Sequence, residues 1–267
     1  MTQVIRRWTL DAAGTPEHID ISIGRREISA EFHRYNHVCE ILLSGVSATC
    51  HSDDNGTWLS SLIAELAASP FSSGAAVVRV QFAVGAQMGC SIPLGHGVSW
   101  RTGYVLDALP QISSHGNAVP SVQPIHRAAQ CIILRLFGRI FHSPMLGLVG
   151  SSSISDLAQR LYWGCSVEGW VDYRGYIIGD VRDPIGIFFV GPGDGPLLHI
   201  GLAGLVPCVR RTRRASLAAV ALVRKLCELG ATSVQFEVDN RNIQSDTLAI
   251  RRGARPMYRV LVVPLDH

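Results

Sequence analysis

Apolar and polar positions follow two different periods along this chain, and each change of period marks an element. The clearest run is LLHIGLAGL at 197–205, apolar except for His199 and long enough for a buried strand. After the turn at 206–216, helical spacing takes over at 217–229, with Arg224, Lys225 and Glu228 as the polar face and Gly230 as the stop. Strict alternation returns at 234–238, with Val234, Phe236 and Val238 against Gln235 and Glu237. Asn242 then caps a helix predicted over 243–252, Gly253 ends it, and a strand at 258–263 follows. Upstream, 173–178 and 184–190 read as strands, and GPGDGP at 191–196 turns the second back onto 197–205 as a hairpin.

The front of the chain repeats this order in reduced form. A short strand lies within 39–46. A helix at 58–68 buries Trp58, Leu59, Leu62, Ile63 and Leu66, and Pro70 stops it. Strands follow at 76–84 and 97–106. The stretch 110–124, PQISSHGNAVPSVQP, is a linker by composition. A second domain begins near Ile125 with a helical stretch at 128–141, a loop at 142–147, and a helix from Ser155 to about Trp163. The expected organisation is a partial domain over 1–120 and a full domain over 125–267, with the first a reduced copy of the second.

Composition narrows the function classes. A chain of 267 residues buries enough core to need no covalent staples. A net charge of +3 argues against a general nucleic-acid binder. The seven cysteines have no CxxC pair or metal-ligand spacing, and an odd count makes a poor disulfide framework. This suits a reducing, cytoplasmic setting and predicts no metal. The opening MTQVIRRWTLDAAG lacks a signal-peptide core, and no apolar run approaches a membrane span.

Candidate chemistry gathers after the strand at 197–205. The turn CVRRTRRAS places Arg210, Arg211, Arg213 and Arg214 just ahead of a helix. A helix start offers unpaired N–H groups and the positive end of its dipole, so this strand, basic turn and helix can hold a phosphate. The competing reading is a solvated turn. His199 can project from its strand into a cleft and titrates near neutrality, which suits a general base; the alternative is a core histidine bonded to backbone. His142, in a loop ahead of Ser143-Pro144, is the second candidate.

Two patterns resemble the GNAT acyltransferase superfamily. Pro207, Arg210, Arg211 and Ala215 fit its acyl-CoA pyrophosphate loop, with Arg213 where the family has glycine. Asn242, Ser245 and Gly253 fall on the register of its second pattern, with Ala249 where the family often has a tyrosine that protonates the leaving thiolate. The layout of the whole chain also resembles GNAT enzymes that acylate nucleotide-linked amino sugars, the dTDP-fucosamine N-acetyltransferase type. In particular, Phe141-His142-Ser143-Pro144 is similar to a loop of that group.

The resemblance implies an α/β (α+β) fold with a mixed, mostly antiparallel sheet flanked by helices, preceded by a smaller partial copy. It implies acyl transfer from acyl-CoA to an amine by direct attack on the thioester. Backbone N–H groups of Leu205 and Val206, after a strand break at Gly204, would face the thioester or the pantetheine. Arg210, Arg211, Arg213, Arg214 and Ala215 would hold the pyrophosphate, with Asn242 and Ser245 also on the cofactor side. His199 or His142 would take the amine proton, and Tyr258 or Ser245 would replace the missing tyrosine. The implied acceptor is a dTDP- or UDP-linked amino sugar, with no nucleic-acid or membrane partner. Exposed strand edges in two half-folds are compatible with a homodimer. Acylation of another small amine, or a CoA- or partner-binding module without catalysis, are the alternatives, and Arg213 and Ala249 keep the last in play.

Overall fold

The computed structural model describes residues 5–23, 26–35, 38–43, 57–72, 77–83, 98–110, 119–140, 173–193 and 195–264. They form two compact units: Met1–Gly103 with Val238–Ile243 and Pro256–His267, and Tyr104–Glu237 with Gln244–Arg255. The units do not follow the linear division expected from the 110–124 linker, because the end of the chain belongs to the first of them.

The first unit opens with β1 (Ile5–Leu10), β2 (Pro16–Ile23), β3 (Arg26–Tyr35) and β4 (Val38–Leu43), each antiparallel to the next. The first three were not expected from the sequence. At the β1–β2 turn the Asp11 carboxylate accepts the N–H groups of Ala13 and Thr15 at 2.8 and 2.7 Å, and Gly14 takes φ 80°. Helix α1 (Thr57–Ala68) then leads to β5 (Val77–Ala83), which runs parallel to β4. Alternate residues Ile19, Ile21, Phe32, Cys39, Ile41, Val78, Val80 and Phe82 bury one face against Trp58, Leu59, Leu62 and Leu66 of α1. On the opposite face Arg79 of β5 donates to Glu40 of β4 at 3.1 Å.

The second unit repeats the plan. Strands β7 (Val122–Pro124), β8 (Arg174–Gly179), β9 (Pro184–Pro192) and β10 (Leu197–Leu205) form an antiparallel meander. Helix α2 (Gln130–Ile140) lies between β7 and β8 in the chain, and α3 (Arg213–Glu228) follows β10. Strand β11 (Ser233–Asp239) runs parallel to β10. The linker by composition thus ends as strand β7. Ile133, Leu136 and Phe137 of α2, Ile187 and Phe188 of β9, Ala218 and Ala221 of α3, and Val234 of β11 share one core. The result is a mixed α/β architecture, mostly antiparallel with flanking helices and a first half that echoes the second, as the sequence led us to expect.

Two helices stop as their glycines predicted. After α3, Gly230 takes φ 87°, its N–H bonds to Cys227 O, and Ala231 N–H bonds to Leu226 O. After α4 (Ile243–Arg251), Gly253 takes φ 81°, with Gly253 N–H to Ile250 O and Ala254 N–H to Ala249 O. Both are Schellman motifs, which need a left-handed residue that glycine supplies without strain. The start of α3 differs from expectation: it begins at Arg213, so two of the turn's arginines are helical. The remaining two strands are β6 (Ser99–Leu106) and β12 (Arg255–Pro264), and β12 pairs antiparallel with β5 inside the first unit. The loop expected at 142–147 and the helix expected at 155–163 lie outside the described residues.

Candidate active site

The second unit places the residues of the basic turn at the junction of β10 and α3. Parallel pairing of β10 with β11 covers only Leu197 to Ile200 against Ser233 to Phe236, although β10 runs on to Leu205. The β9–β10 register shifts between Ile200 and Leu202, so the irregularity sits at Gly201 and not at Gly204. Beyond it the β11 side of β10 is an edge with no strand partner among the described residues.

Backbone geometry decides which amides face that edge. Val206 N–H donates to Ile185 O at 3.0 Å, on the β9 side. In an antiparallel ladder the preceding residue points its amide the other way. Leu205 therefore directs its N–H to the open edge, while Val206 is committed to the sheet.

The four arginines divide into two roles. Arg210 Nε donates to the Leu205 carbonyl at 2.8 Å, and its Nη2 donates to the Ile140 carbonyl at 3.1 Å. Ile140 is the last residue of α2, where a cation is favoured by the helix dipole and by the unpaired carbonyls. Arg210 is thus a clamp between the end of β10 and the end of α2. The guanidinium groups of Arg211, Arg213 and Arg214 are exposed and, among the described residues, have no hydrogen-bond or ion-pair partner.

The helix start itself is uncapped. Thr212 occupies the cap position, but its hydroxyl donates to Val209 O at 2.7 Å and does not reach a helix N–H. Ala215 N–H bonds to Thr212 O at 3.0 Å, which leaves the amides of Arg213 and Arg214 without an acceptor among the described residues. The first turn holds no acidic residue. Two cations at the positive end of a helix dipole repel it, an arrangement that an anion relieves. Backbone strain falls at Arg211, the one non-glycine residue of positive φ among those described, at 62°. Arg213 is an ordinary first helical residue, so the glycine missing there leaves no strained dihedral.

His199 lies on the sheet face that carries Phe189 and its α2 partner Phe137. Its neighbours Leu198 and Ile200 pack on the core cluster, and strand alternation sends His199 the opposite way. It stands directly across from Gly191 of β9 and beside Gln235 of β11. The Tyr173 hydroxyl is hydrogen-bonded to His199 Nδ1, and the two rings meet edge to face with centroids 5.8 Å apart. Glu237, two residues beyond Gln235, shares this face. Tyr173, Gly191, His199 and Gln235 thus form a row across the sheet, with Glu237 next to it.

Other candidates fall elsewhere. Tyr258 belongs to the first unit, where its ring lies over Gly103 so closely that a Cβ there would stand 2.3 Å from Cζ. Asn242, also of the first unit, precedes α4 and donates its N–H to Asp239 O at 2.8 Å. Ser245 is half-buried on α4 in the second unit, and Ala249 is 6 % exposed on the same helix. The hydroxyl that does approach α4 is Tyr104 of β6, which donates to Asp246 at 2.5 Å and stacks on Phe236. His142 lies outside the described residues. Among the described residues no group of three His, Cys, Asp or Glu side chains is placed to hold a metal, and no helix is long and apolar enough to cross a membrane.

No protein-family model matches the chain, and no curated protein sequence matches it. Solved structures do resemble it. A conserved protein of unknown function from Staphylococcus epidermidis aligns over 100% of this chain and 96% of its own, with TM-score 0.57 and 12% identity. A tandem GNAT protein from the clavulanic acid biosynthesis pathway aligns over 94% and 83%, with TM-score 0.46 and 12% identity. A GCN5-related N-acetyltransferase from Sphaerobacter thermophilus aligns over 99% and 82%, with TM-score 0.45 and 15% identity. At these identities the likeness to the staphylococcal protein concerns the fold.

The arrangement has a chemical logic of its own. An open strand edge suits an extended ligand bearing amides, since such a ligand completes the ladder as a strand would. The uncapped helix start with three exposed arginines suits the phosphates of the same ligand. His199 supplies a group able to accept a proton on the adjoining sheet face. The sequence pointed to His199 and to the basic turn. It did not single out Tyr173, whose only local signal is its place at the start of a strand.

Proposed function

We propose that the protein transfers an acyl group from acyl-CoA to the amine of a small acceptor. The observation that carries this reading is the start of α3: amides and three arginines that have no partner among the described residues, beside a strand edge that has no strand neighbour among them. The pantetheine arm, with its two amides, lies along β10 beyond Gly201, and the pyrophosphate sits at Arg211, Arg213 and Arg214. Leu205 N–H, at the pyrophosphate end of the open edge, donates to the pantetheine, and the thioester lies at the far end of that edge, near Gly201 and next to His199. The acceptor nitrogen attacks the carbonyl carbon, a C–N bond forms, the C–S bond breaks, and His199 takes the ammonium proton. The thiolate, with a thiol pKa near ~8.5, leaves without a dedicated acid and takes its proton from solvent.

A nucleotide-linked amino sugar is the acceptor to test first, on the layout of the chain, with amino acids and other small amines next. The buried Ala249 favours one second reading, a CoA- or partner-binding module without turnover, because that position supplies no hydroxyl.

Calorimetry with CoA and acetyl-CoA tests the cofactor site, and thiol release with dTDP- and UDP-amino sugars tests the reaction. Replacing Arg211 and Arg214 together by alanine removes two charge-assisted contacts of about 1.5–3 kcal/mol each, so CoA affinity should fall at least ~100-fold. An unchanged affinity returns the cluster to a solvated turn. Binding without turnover over a broad amine panel selects the non-catalytic reading.

A further inference from the structure

The Tyr173–His199 pair is built across the sheet. Tyr173 immediately precedes β8, His199 is in β10, and β9 runs between them. The ring bridges this gap by occupying the place where Gly191 has no side chain: a Cβ there would lie 2.3 Å from Tyr173 Cε2 and 2.5 Å from Cζ. Such distances do not occur between real atoms, so glycine at this position is a condition for the ring to lie where it does. Gly191 is also the residue opposite His199 in the ladder. The clearance in β9 thus delivers the hydroxyl of a residue before β8 to Nδ1 of a histidine two strands away.

We propose that Tyr173 is a positioning residue that holds neutral His199 in its Nδ1–H tautomer. In this arrangement Nδ1–H donates to the Tyr173 oxygen, and Nε2 keeps the lone pair with which a base takes a proton. The alternative, in which the tyrosine donates to Nδ1, puts the proton on Nε2 and leaves the imidazole unable to act as a base there. The assignment to the Nδ1–H form rests on the acyltransferase reading, which requires a base on this face. Among the described residues, this face also carries Gly191 and Phe189 from β9, and Gln235 and the carboxyl of Glu237 from β11. Of these described neighbours, Tyr173 and Glu237 are the titratable groups that a pH profile of His199 must take into account.

The test uses the full chain labelled with 15N-histidine, in wild type, Tyr173→Phe and Gly191→Ala. Ring nitrogen shifts report the tautomer whether or not the protein turns over. In wild type at high pH, His199 should show a protonated Nδ1 and an unprotonated Nε2. Tyr173→Phe keeps the ring and removes the oxygen, so the histidine should move toward the Nε2–H form. Its imidazolium also loses an acceptor, so its titration should move to lower pH. Gly191→Ala keeps the hydroxyl but displaces the ring, and should reproduce both changes with Tyr173 still present.

If acyl transfer is measurable, kcat should fall ~10- to 100-fold in both variants, as when partners that orient a histidine are removed. The acid limb of the rate profile should move with the NMR titration, while KM for acyl-CoA stays unchanged. A wild-type His199 that already carries its neutral proton on Nε2 overturns the proposal. So does a tautomer equilibrium unaffected in both variants. A wild type with the expected tautomer but no turnover sinks the acyltransferase reading and leaves the Tyr173–His199 pairing supported.

Discussion

Replacing Arg210 by alanine should destabilise the protein and leave CoA affinity nearly unchanged, the reverse of the effect of replacing its neighbours. The side chain makes two charge-assisted hydrogen bonds, to Leu205 O at 2.8 Å and to Ile140 O at 3.1 Å. Such bonds contribute about 1.5–3 kcal/mol each when shielded. The Nε bond is exposed, so its share lies at or below the lower end; the Nη2 bond is part-buried and also opposes the dipole of α2 at its C-terminus. A net loss of about 2–3 kcal/mol follows, some of it recovered as water solvates the freed carbonyls. For a chain of this size that corresponds to a fall in Tm of roughly 4–10 °C. Differential scanning calorimetry gives the Tm, and titration calorimetry with CoA gives the affinity. Arg211→Ala and Arg214→Ala should show the opposite pair of results, weaker CoA binding at nearly constant Tm. If Arg210→Ala lowers CoA affinity as much as they do and leaves Tm in place, Arg210 is a ligand and the clamp assignment is wrong.

Arg211→Gly removes a side chain from a left-handed backbone position at φ 62°, so Tm should rise slightly, with about 1 kcal/mol of relieved strain partly offset by a freer unfolded chain, while CoA binding weakens. A fall in Tm would mean that the arginine side chain stabilises the turn. Gly103→Ala places a Cβ 2.3 Å from the Tyr258 ring and should cost about 1–3 kcal/mol in urea unfolding; no loss would show that the ring moves aside freely. The Asp239 carboxyl is pushed up by its partial burial, but hydrogen bonds and charge from Arg241, with Arg101 behind them, outweigh this and hold it below its ordinary value. Its contribution to stability is therefore complete above the unfolded carboxylate pKa of ~3.9 and is lost as pH falls through the lower folded value. Asp239→Asn should flatten the acid side of a stability–pH curve, and an unaltered slope there would reject the assignment.

The basic turn was legible in the sequence because four arginines in five positions, between an apolar run and a helix period, form a local pattern. Their division into a clamp and a binding set was not. It depends on where the Ile140 carbonyl ends up, 70 residues away in the chain. The glycine expected at Arg213 was also a local inference. The turn places its left-handed residue two positions earlier, and the helix begins where the sequence suggested more loop. His199 stood out as the polar interruption of an apolar strand. Tyr173 did not, because its role follows from a register that sets His199 against Gly191. Gly191 itself looked like part of a turn, whereas the strand continues through it to Pro192. Strands β2 and β3 were legible as well, since Ile19, Ile21 and Ile23, and then Ile28, Ala30 and Phe32, alternate strictly with polar residues as half-buried strands do; β1, with Ile5 and Trp8 out of strict alternation, was not.

The two units share a plan, four antiparallel strands, a helix and a fifth strand parallel to the fourth, yet differ where chemistry would reside. On the face away from its helix, the first unit closes its parallel pair with the Glu40–Arg79 ion pair, side chains 17% and 11% exposed. Losing one member of such a buried pair strands a charge at a cost of about 3–5 kcal/mol, so the pair fixes the register of that face and leaves neither group free to exchange protons with a ligand. The second unit has His199, Gln235 and Glu237 on the corresponding face, half-buried, together with a strand edge that opens after Ile200. The helix starts diverge as well. The first turn of α1 is TWLS, with no charged residue, while α3 begins with two arginines and an uncapped backbone. A repeated fold thus carries one face settled by charge neutralisation and another with a histidine, next to a helix start whose cations have no partner among the described residues. We therefore propose that binding and proton transfer belong to the second unit.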